Sequence, residues 1–260
     1  MLTQLFENER IDKVNDDLSL IQKPGGLLFG TDALLLAGYV SGNFDFGIEF
    51  GGGSGIISML MLSRNKLKTC NAIEAQEDYA KLIERNAELN SLEDRLRAVY
   101  ADVRDYAPEA DADIIFTNPP YMKTTSGKAC GADNKNIARH EVFGDIRDFL
   151  LSAKRMLKFG GAFYAVYRPD RLVDLISAMR ECGIEPKRAT FVHASAEAEA
   201  SMVLIEGRRG GKPQLKLTKP LLIYSDSDHK TYSCDMNYIM SEGSFPEDFN
   251  IKNAKRKNSN

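Results

Sequence analysis

The chain has 260 residues and 43% of them are hydrophobic, which is enough for a buried core in one large domain or two small ones. Its 34 basic and 37 acidic side chains give a formal net charge of −3. This excludes a strong overall field that would draw the protein to nucleic acid or to an anionic membrane, so any such partner must be met by local basic patches.

The first residues carry no export signal, and no apolar run approaches the ~18 residues that a membrane span needs. The cysteines form no CxxC pair and have no histidine at ligand spacing: Cys70, Cys130, Cys182 and Cys234. We therefore expect a cytoplasmic protein with reduced thiols, no membrane partner and no metal site.

In chain order, the first expected element is a short helix over the apolar residues from Ala33 to Val40, with Thr31 as its N-cap. Short apolar runs then alternate with helical patterns, which is typical of a parallel α/β sheet. The last two runs, ATFVHA and SMVLIEG, are joined only by SAEAEA, which predicts an antiparallel hairpin at one edge. We predict a Rossmann-like α/β fold with a mostly parallel seven-stranded sheet, an antiparallel edge strand and helices on both faces. This resembles the architecture of class I methyltransferases.

Composition divides the chain into three regions. Residues 1–45 are expected to form an N-terminal segment that packs on the core, and residues 46–224 the α/β domain that would carry the activity. From Ser225 the chain becomes polar and ends in NIKNAKRKNSN, which lacks the apolar content to fold alone. Residues 225–260 are therefore expected to be a polar surface tail.

A glycine-rich turn, GIEFGGGSG, leads into the helical run IISMLML. Gly51, Gly53 and Gly55 allow close backbone approach, and the helix N-terminus offers free N–H groups, so we expect a ligand over this turn. Similar turns hold the pyrophosphate of dinucleotides. By itself the turn leaves the cofactor open between NAD and S-adenosylmethionine (SAM).

Three carboxylates at strand ends narrow this choice. Glu49 precedes the glycines, where it would repel a phosphate but suit the cationic amino acid part of SAM. Glu74 ends the next strand and can accept hydrogen bonds from ribose hydroxyls, a role that NAD folds share. Asp102 follows the third strand, where it could bind the adenine amino group. The pattern favours SAM, with S-adenosylhomocysteine as its product, over NAD.

The stretch DIIFTNPPYMK ends an apolar strand abruptly, because two consecutive prolines fit neither a helix nor a central strand. We predict that the Asn118 side-chain oxygen and the Pro119 carbonyl accept the two N–H bonds of an sp² amine, with Pro120 keeping both acceptors rigid. They would stabilise the positive charge that grows on nitrogen during methyl transfer. Tyr121 offers an aromatic face on which the target ring can stack. The motif serves the methylation of adenine, guanine and glutamine amides alike.

From Arg10 to about Tyr224 the chain resembles the bacterial tRNA adenine-N6 methyltransferases that modify adenine 37, beside the anticodon of a valine tRNA. The resemblance rests on IQKPGGLLFGTDALLLA, NPPYMK, ARHE, YRPDRLVDLISAMR, EPKRATFVH and ASMVLIEGRRGGKP, in that order. It implies a flipped adenine at residues 118–121 and a cofactor bordered by the family stretch that contains Thr31 and Asp32. The cofactor-binding residues predicted in all are Thr31, Asp32, Glu49, Gly51, Gly53, Gly55, Glu74, Asp102 and Asn118.

Two positions depart from that family's pattern. The glycine motif reads EFGGGSG where the family more often has Asp-Leu-Gly-Thr-Gly-Thr-Gly, which places Gly52 at a usual threonine. Ser201 stands where asparagine is usual. The first departure keeps every glycine on which the cofactor prediction depends.

Two basic segments favour RNA as the substrate. A long loop from Met122 to Ala138 follows the catalytic turn, and loops of this length are typical of lids or binding loops. Near the C-terminus, GRRGGKPQLKLTKP has five basic residues and no acid, so it could contact phosphates or be a solvated surface loop. The predicted RNA-binding residues are Lys123, Lys128, Arg139, His140, Arg208, Arg209 and Lys212.

We therefore expect SAM-dependent N6-methylation of an adenine in the anticodon arm of a tRNA, by a monomer or a weak homodimer. The alternatives are methylation of rRNA guanine N2 or of a protein glutamine, and, from another class, a SAM- and RNA-binding scaffold without activity. The intact Asn118 and Pro119 argue against the scaffold. Glutamine methyltransferases of release factors carry an added N-terminal domain, for which only about 45 residues are present here.

Overall fold

The computed structural model describes residues 5–6, 8–22, 30–119 and 145–250. Its centre is a nine-stranded sheet with the strand order β10-β8-β9-β7-β6-β3-β4-β5, and β11 also pairs with β8. The strands are β1 (Arg10–Lys13), β2 (Ser19–Gln22), β3 (Phe44–Phe50), β4 (Leu67–Glu74), β5 (Leu96–Tyr100), β6 (Ala112–Thr117), β7 (Leu157–Tyr167), β8 (Ile184–His193), β9 (Ala200–Arg209), β10 (Lys216–Leu217) and β11 (Leu221–Leu222). Strands β1 and β2 form a separate antiparallel hairpin.

Side chains alternate between the two faces along each strand, and both faces of the central strands are apolar. Helices therefore cover both faces of the sheet. The helices are α1 (Thr31–Tyr39), α2 (Ile56–Ser63), α3 (Glu77–Leu89), α4 (Ile146–Met156), α5 (Leu172–Glu181) and α6 (Cys234–Glu242). On β6, Ile114 and Phe116 pack in the core shared with α1, α2 and α3, while Ile115 packs in the core shared with α4 and α5. This two-sided burial explains why the central strands are continuous apolar runs.

The predicted fold class is confirmed, with two corrections to the sheet. The strand count is wrong because the short strands β10 and β11 extend the sheet beyond the predicted seven. The reversed strand is also not at the edge, since β9 lies between β7 and β8 and is antiparallel to both. The loop SAEAEA does join a hairpin, but the strand order inside that hairpin depends on long-range pairing that the loop does not reveal.

Helix α1 begins where the sequence predicts a helix, but Thr31 is not its cap. The N-cap is Gly30, which has no side chain to accept a hydrogen bond, and Thr31 is the exposed first residue of the helix. The other end is held to the sheet by Lys66, whose buried ammonium donates to the carbonyls of Ala37, Gly38 and Val40 at 2.8, 3.1 and 2.8 Å. These carbonyls would otherwise lack partners at the helix end.

The predicted surface tail is wrong for residues 234–250, which pack on the core, whereas residues 225–233 are mostly exposed. Helix α6 begins at the side-chain cap Ser233 and buries Met236 and Ile239. Beyond it, Phe245 and Phe249 pack edge to face in the same core as α1, with their ring centroids 5.2 Å apart. A few apolar residues in a polar segment suffice here because they fill a surface that the sheet already provides.

Candidate functional site

Four parallel strands have their carboxyl ends on the same side of the sheet, and the predicted site residues lie together at these ends. Strands β3, β4, β5 and β6 pair in parallel, so the turns that follow their carboxyl ends lie side by side. The chain leaves β3 towards β4 and β5 on one side and reaches β6 and β7 on the other. In open α/β sheets such a reversal of strand order opens the crevice where ligands bind.

The glycine turn lies directly above the end of β4. The backbone N–H groups of Gly51 and Gly52 donate to the carbonyl of Ile73 at 2.9 and 3.0 Å. Gly51 has a φ of 69°, and a Cβ built on it would meet nothing within 4 Å, so its surface borders open space. A Cβ on Gly52 would lie 2.8 Å from Cδ1 of Ile83 and 3.2 Å from Cβ of Ala72, so a larger residue at this position would require the end of the Ile83 side chain to move.

Glu74 ties the glycine turn to the end of β4. One carboxylate oxygen accepts from the backbone N–H of Gly53 at 2.9 Å, and the other accepts from the N–H of Gln76 at 3.0 Å. The side chain is almost fully buried. The oxygen that contacts Gln76 also accepts from its Nε2 at 3.4 Å, whereas the oxygen that contacts Gly53 keeps a lone pair that can accept a hydroxyl from a bound ligand.

Glu49 is directed into the first turn of α2. Its carboxyl group accepts the backbone N–H of Ser58 at 3.1 Å and also pairs with the Ser58 hydroxyl. It therefore satisfies an N-terminal N–H group of the helix that follows the glycine turn. Burial raises the pKa of Glu49 to about 8, against the opposing effect of the Ser58 hydrogen bonds. The predicted contact with the cationic part of SAM stays a prediction.

This buried carboxyl group should make stability depend on pH. The pKa of Glu49 is raised from 4.5 to about 8 by folding, so the native state keeps a proton that the unfolded chain has lost. The contribution of Glu49 to stability is then fully present below pH 4.5 and is lost as pH rises through 8, by on the order of a few kcal/mol in all. We expect Glu49→Gln to flatten this slope in urea unfolding curves between pH 5 and 7. Burial lowers the pKa of Lys66 to about 7, so Lys66 adds an opposing slope only in the upper part of this range, and that slope is the same in the wild type and the variant.

The matched control is Glu109→Gln, since this carboxylate is fully exposed and lies 3.8 Å from Arg97. It should leave the slope unchanged. An unaltered slope in Glu49→Gln would contradict a neutral, buried Glu49.

Asp102 follows the carboxyl end of β5, as predicted, but its carboxylate is already paired with Arg104. One Asp102 oxygen accepts from the Arg104 backbone N–H at 2.8 Å and from its Nε at 2.9 Å, and the other pairs with the same guanidinium. The Arg104 side chain holds the pKa of Asp102 below its usual value. A contact between Asp102 and an adenine amino group would have to share the carboxylate with this arginine.

Asn118 follows β6 and contacts α1 across the crevice. Its Nδ2 donates to Oδ2 of Asp32 at 2.8 Å, while Oδ1 of Asp32 accepts the N–H of Ala33 at 2.9 Å. The other amide atom of Asn118, Oδ1, is buried and has no hydrogen-bond partner within the described residues. A buried acceptor without a partner is uncommon and costs free energy, so it marks a place for a donor that the described residues do not supply.

The structure describes only part of the predicted catalytic and RNA-binding set. Pro119 is described and partly buried beside Asn118. The predicted positions that lie outside the described residues are Pro120, Tyr121, Lys123, Lys128, Arg139 and His140. Their roles stay predictions.

The basic strip near the C-terminus, from Arg208 to Lys219, begins on the side of the sheet away from the strand ends that border the crevice. Arg208 pairs with Ala162 in the middle of β7, whereas Val203 pairs with Tyr167 at the end that borders the crevice. Arg208 also contacts Glu206 at 3.0 Å, and Arg209 donates to the carbonyl of Leu157.

Lys212 follows β9 at the same far edge, where its carbonyl accepts from Lys187 at 2.6 Å. The structure therefore does not bring Arg208, Arg209 and Lys212 to the edge that carries Asn118.

Two arginines at the crevice were given no role by the sequence analysis. Arg168 and Arg171 follow the end of β7, the strand beside β6, and thus lie at the same edge as Asn118. They contact Asp170 and Asp174, with Nε–Oδ distances of 2.9 and 2.6 Å. The stretch YRPDR directly after an apolar strand was the available signal, because charged residues at a carboxyl strand end face the ligand crevice.

Neither a cluster of potential metal ligands nor a membrane-spanning helix is found among the described residues. Among residues 5–6, 8–22, 30–119 and 145–250, no three His, Cys, Asp or Glu side chains are grouped as a metal site would require. Over the same ranges, every helix is too short or too polar to span a membrane.

Comparison with known families and proteins identifies what the chain is similar to. A family model described as "Methyltransferase small domain" matches residues 29–181. A Phocaeicola vulgatus protein named tRNA1(Val) (adenine(37)-N6)-methyltransferase is 28% identical over 68% of this chain and 74% of its own length. A Dyadobacter fermentans protein with the same name is 24% identical over 78% of this chain and 84% of its own.

Solved structures share the fold at lower identity. A predicted O-methyltransferase from Agrobacterium tumefaciens superposes with a TM-score of 0.67 at 20% identity, covering 83% of this chain and 98% of that protein. M. jannaschii TYW2 in complex with AdoMet has a TM-score of 0.54 at 15% identity, covering 79% and 87% of the two chains. At these identities the likeness concerns the fold alone.

Proposed function

The chain belongs to the methyltransferase small domain family, and from this premise we propose that it transfers a methyl group from SAM to the N6 amine of an adenine in tRNA. The family resemblance predicted from the sequence is confirmed by the family match and by the two relatives. The observation that carries the proposal is the buried Oδ1 of Asn118 beside the crevice, which has no hydrogen-bond partner in the part of the chain that the structure describes. An amine with two N–H bonds is the kind of donor that this oxygen lacks.

The residues around the glycine turn fit SAM. Gly51 borders open space at the end of β3, and the buried Glu74 carboxylate keeps a lone pair available for a ribose hydroxyl. Asp102 and Arg104 lie at the next strand end, where they would border the adenine ring. SAM supplies an electrophilic methyl group on a sulfonium, and S-adenosylhomocysteine is left after transfer.

The chain's own contribution is to make the target nitrogen nucleophilic. The lone pair of an adenine amine is delocalised into the ring, so the nitrogen is a poor nucleophile. When Oδ1 of Asn118 and the carbonyl of Pro119 each accept one N–H bond, the lone pair is directed out of the ring plane. The same two acceptors stabilise the positive charge that develops on nitrogen. The alkylated amine then loses a proton to water, so no strong base is needed.

We extend the proposal to adenine 37 in the anticodon arm of a valine tRNA, because the relatives carry that substrate in their names at 24–28% identity. Rotating an adenine out of a loop and into a site costs less free energy than rotating one out of a duplex. Arg168 and Arg171 are suitably placed to contact the phosphates beside it. We propose that the protein acts in the cytoplasm, as a monomer or a weak homodimer.

The experiment is a methyl-transfer assay with labelled SAM and bulk tRNA from cells that lack this protein, followed by digestion to nucleosides and mass spectrometry. We expect label in N6-methyladenosine. Since phosphate contacts release counterions, activity should also fall steeply with added salt, by about tenfold or more between 50 and 200 mM if two or more phosphates are contacted.

Bulk rRNA and a protein fraction from the same cells serve as parallel acceptors. Label in N2-methylguanosine or methylglutamine, with none in tRNA, would overturn the substrate and leave the fold unchanged. A flat salt dependence with tRNA would contradict the phosphate contacts.

A further inference from the structure

The orientation of the Asn118 amide is determined by its neighbour on α1. A carboxylate can only accept hydrogen bonds, so Asp32 can pair with the NH₂ group of Asn118 but not with its oxygen. The 2.8 Å contact between Nδ2 and Oδ2 of Asp32 therefore places Oδ1 on the opposite side of the amide. That atom is the buried one for which residues 5–6, 8–22, 30–119 and 145–250 supply no partner.

The reverse orientation would be inactive. If the amide turned over, its NH₂ group would face the two N–H bonds of the target amine, donor against donor, and the acceptor would be lost. A side-chain amide has two nearly isosteric orientations, so the chain needs a group that distinguishes them. Asp32 is the described residue that contacts Asn118 in this way.

Contacts at both ends of α1 fix the position of the Asp32 carboxylate. It lies in the first turn of α1, where the helix dipole favours a negative side chain, and its second oxygen is held by the N–H of Ala33 at 2.9 Å. The far end of α1 is held by the three carbonyl contacts of Lys66. The contact with Asn118 joins residues 86 positions apart, so it couples the helix to the catalytic strand end.

We propose that Asp32 is a positioning residue that holds the Asn118 amide with its oxygen towards the target amine. This inference rests on the proposed function and deepens it, since the sequence analysis placed Asp32 beside the cofactor without this role. The negative charge of Asp32 also polarises the amide and makes Oδ1 a stronger acceptor, because hydrogen bonds in a chain strengthen one another. Asp32 touches neither substrate nor cofactor in this role.

An exchange of the two side chains tests the pairing. Asp32→Asn leaves an amide that can turn either way, and we expect kcat to fall about 100-fold, with the KM for SAM unchanged, because the acceptor is misplaced. Asn118→Asp places two carboxylates in contact and should be at least as poor. The double variant Asp32→Asn/Asn118→Asp restores one donor facing an acceptor, with an oxygen still free for the amine. It should exceed Asn118→Asp by about tenfold in kcat, the gain expected when one charge-assisted hydrogen bond is restored.

Asp45→Asn is the control, because that exposed carboxylate pairs with Lys68 at the opposite end of β3. It should retain full activity. A double variant no better than Asn118→Asp would overturn the proposal. So would an Asp32→Asn enzyme whose defect is weaker SAM binding with normal kcat at saturating SAM.

A second readout needs no acceptor and separates this inference from the proposed function. In nitrogen-labelled protein, the side-chain amide protons of Asn118 should exchange slowly in the wild type and rapidly in Asp32→Ala. If tRNA is not methylated by the wild type but this difference is seen, the substrate proposal fails and the pairing stands. Equal exchange in the two proteins overturns the pairing whatever the substrate is.

Discussion

Asn118→Ala is expected to lower kcat by about 100- to 1,000-fold, the loss found when one preorganised group that stabilises transition-state charge is removed. Its Oδ1 is the buried acceptor at the crevice edge, and alanine removes it without adding bulk. SAM affinity should be largely preserved although Asn118 is among the predicted cofactor-binding residues, because the contacts of the glycine turn with Ile73 and Glu74 do not involve Asn118. Single-turnover methyl transfer and calorimetric titration with SAM would measure the two effects separately.

Asn237→Ala is the matched control for this variant. Asn237 is exposed on α6, and its Nδ2 donates to the carbonyl of Tyr232 at 3.3 Å. It should keep wild-type kcat. If Asn118→Ala retained kcat, or if its loss were fully accounted for by weaker SAM binding, Asn118 would not be the acceptor of the target amine.

Arg188→Met is expected to destabilise the fold by about 3–5 kcal/mol, the cost of breaking a buried ion pair by removing one partner. Arg188 is fully buried and contacts Glu206 at 3.0 Å, and its guanidinium lies 3.9 Å from the centre of the Tyr39 ring. It also donates to the carbonyls of Tyr39 and Phe249 at 2.7 and 3.0 Å. One side chain thus joins β8, β9, α1 and the C-terminal segment.

The effect should be largest in the C-terminal segment, where Arg188 donates to the carbonyl of Phe249 and to the side chain of Asn250. Hydrogen exchange in residues 234–250 should accelerate more than in β3 and β4, and urea unfolding should measure the total cost. Arg97→Met is the control, because the Arg97 side chain is 70% exposed and its nearest carboxylate is 3.8 Å away. Unchanged exchange in residues 234–250 would show that this segment does not depend on Arg188.

The sequence predicts the order of elements well because that order depends on local patterns. Alternation of apolar runs and helical patterns identified the sheet, and the glycine turn, Glu74 and Asn118 all lie at the predicted edge. Parallel strands place their carboxyl ends together whatever the details of the sheet, so this part of the site followed from the strand assignments alone.

What could not be predicted depends on contacts between distant residues. The pairing of Asp32 with Asn118 spans 86 positions and leaves no local signal. The hydrogen bonds of the Glu49 carboxyl group with Ser58 on the following helix could not be predicted from its position before the glycines. Arg208 and Arg209 follow an apolar strand as a ligand residue would, yet that strand runs in reverse and carries them to the other edge.

The position of β9 has a consequence for how the chain folds while it is being synthesised. The family match ends at residue 181, before β8 and β9, but β9 lies in the interior of the sheet beside β7. While the ribosome is still producing residues 182–209, the long strand β7 has an unpaired edge, which can associate with other chains. A gene fragment cut at the family boundary would keep that edge permanently. The nascent chain is therefore expected to need protection by a chaperone until its last long strand has been inserted.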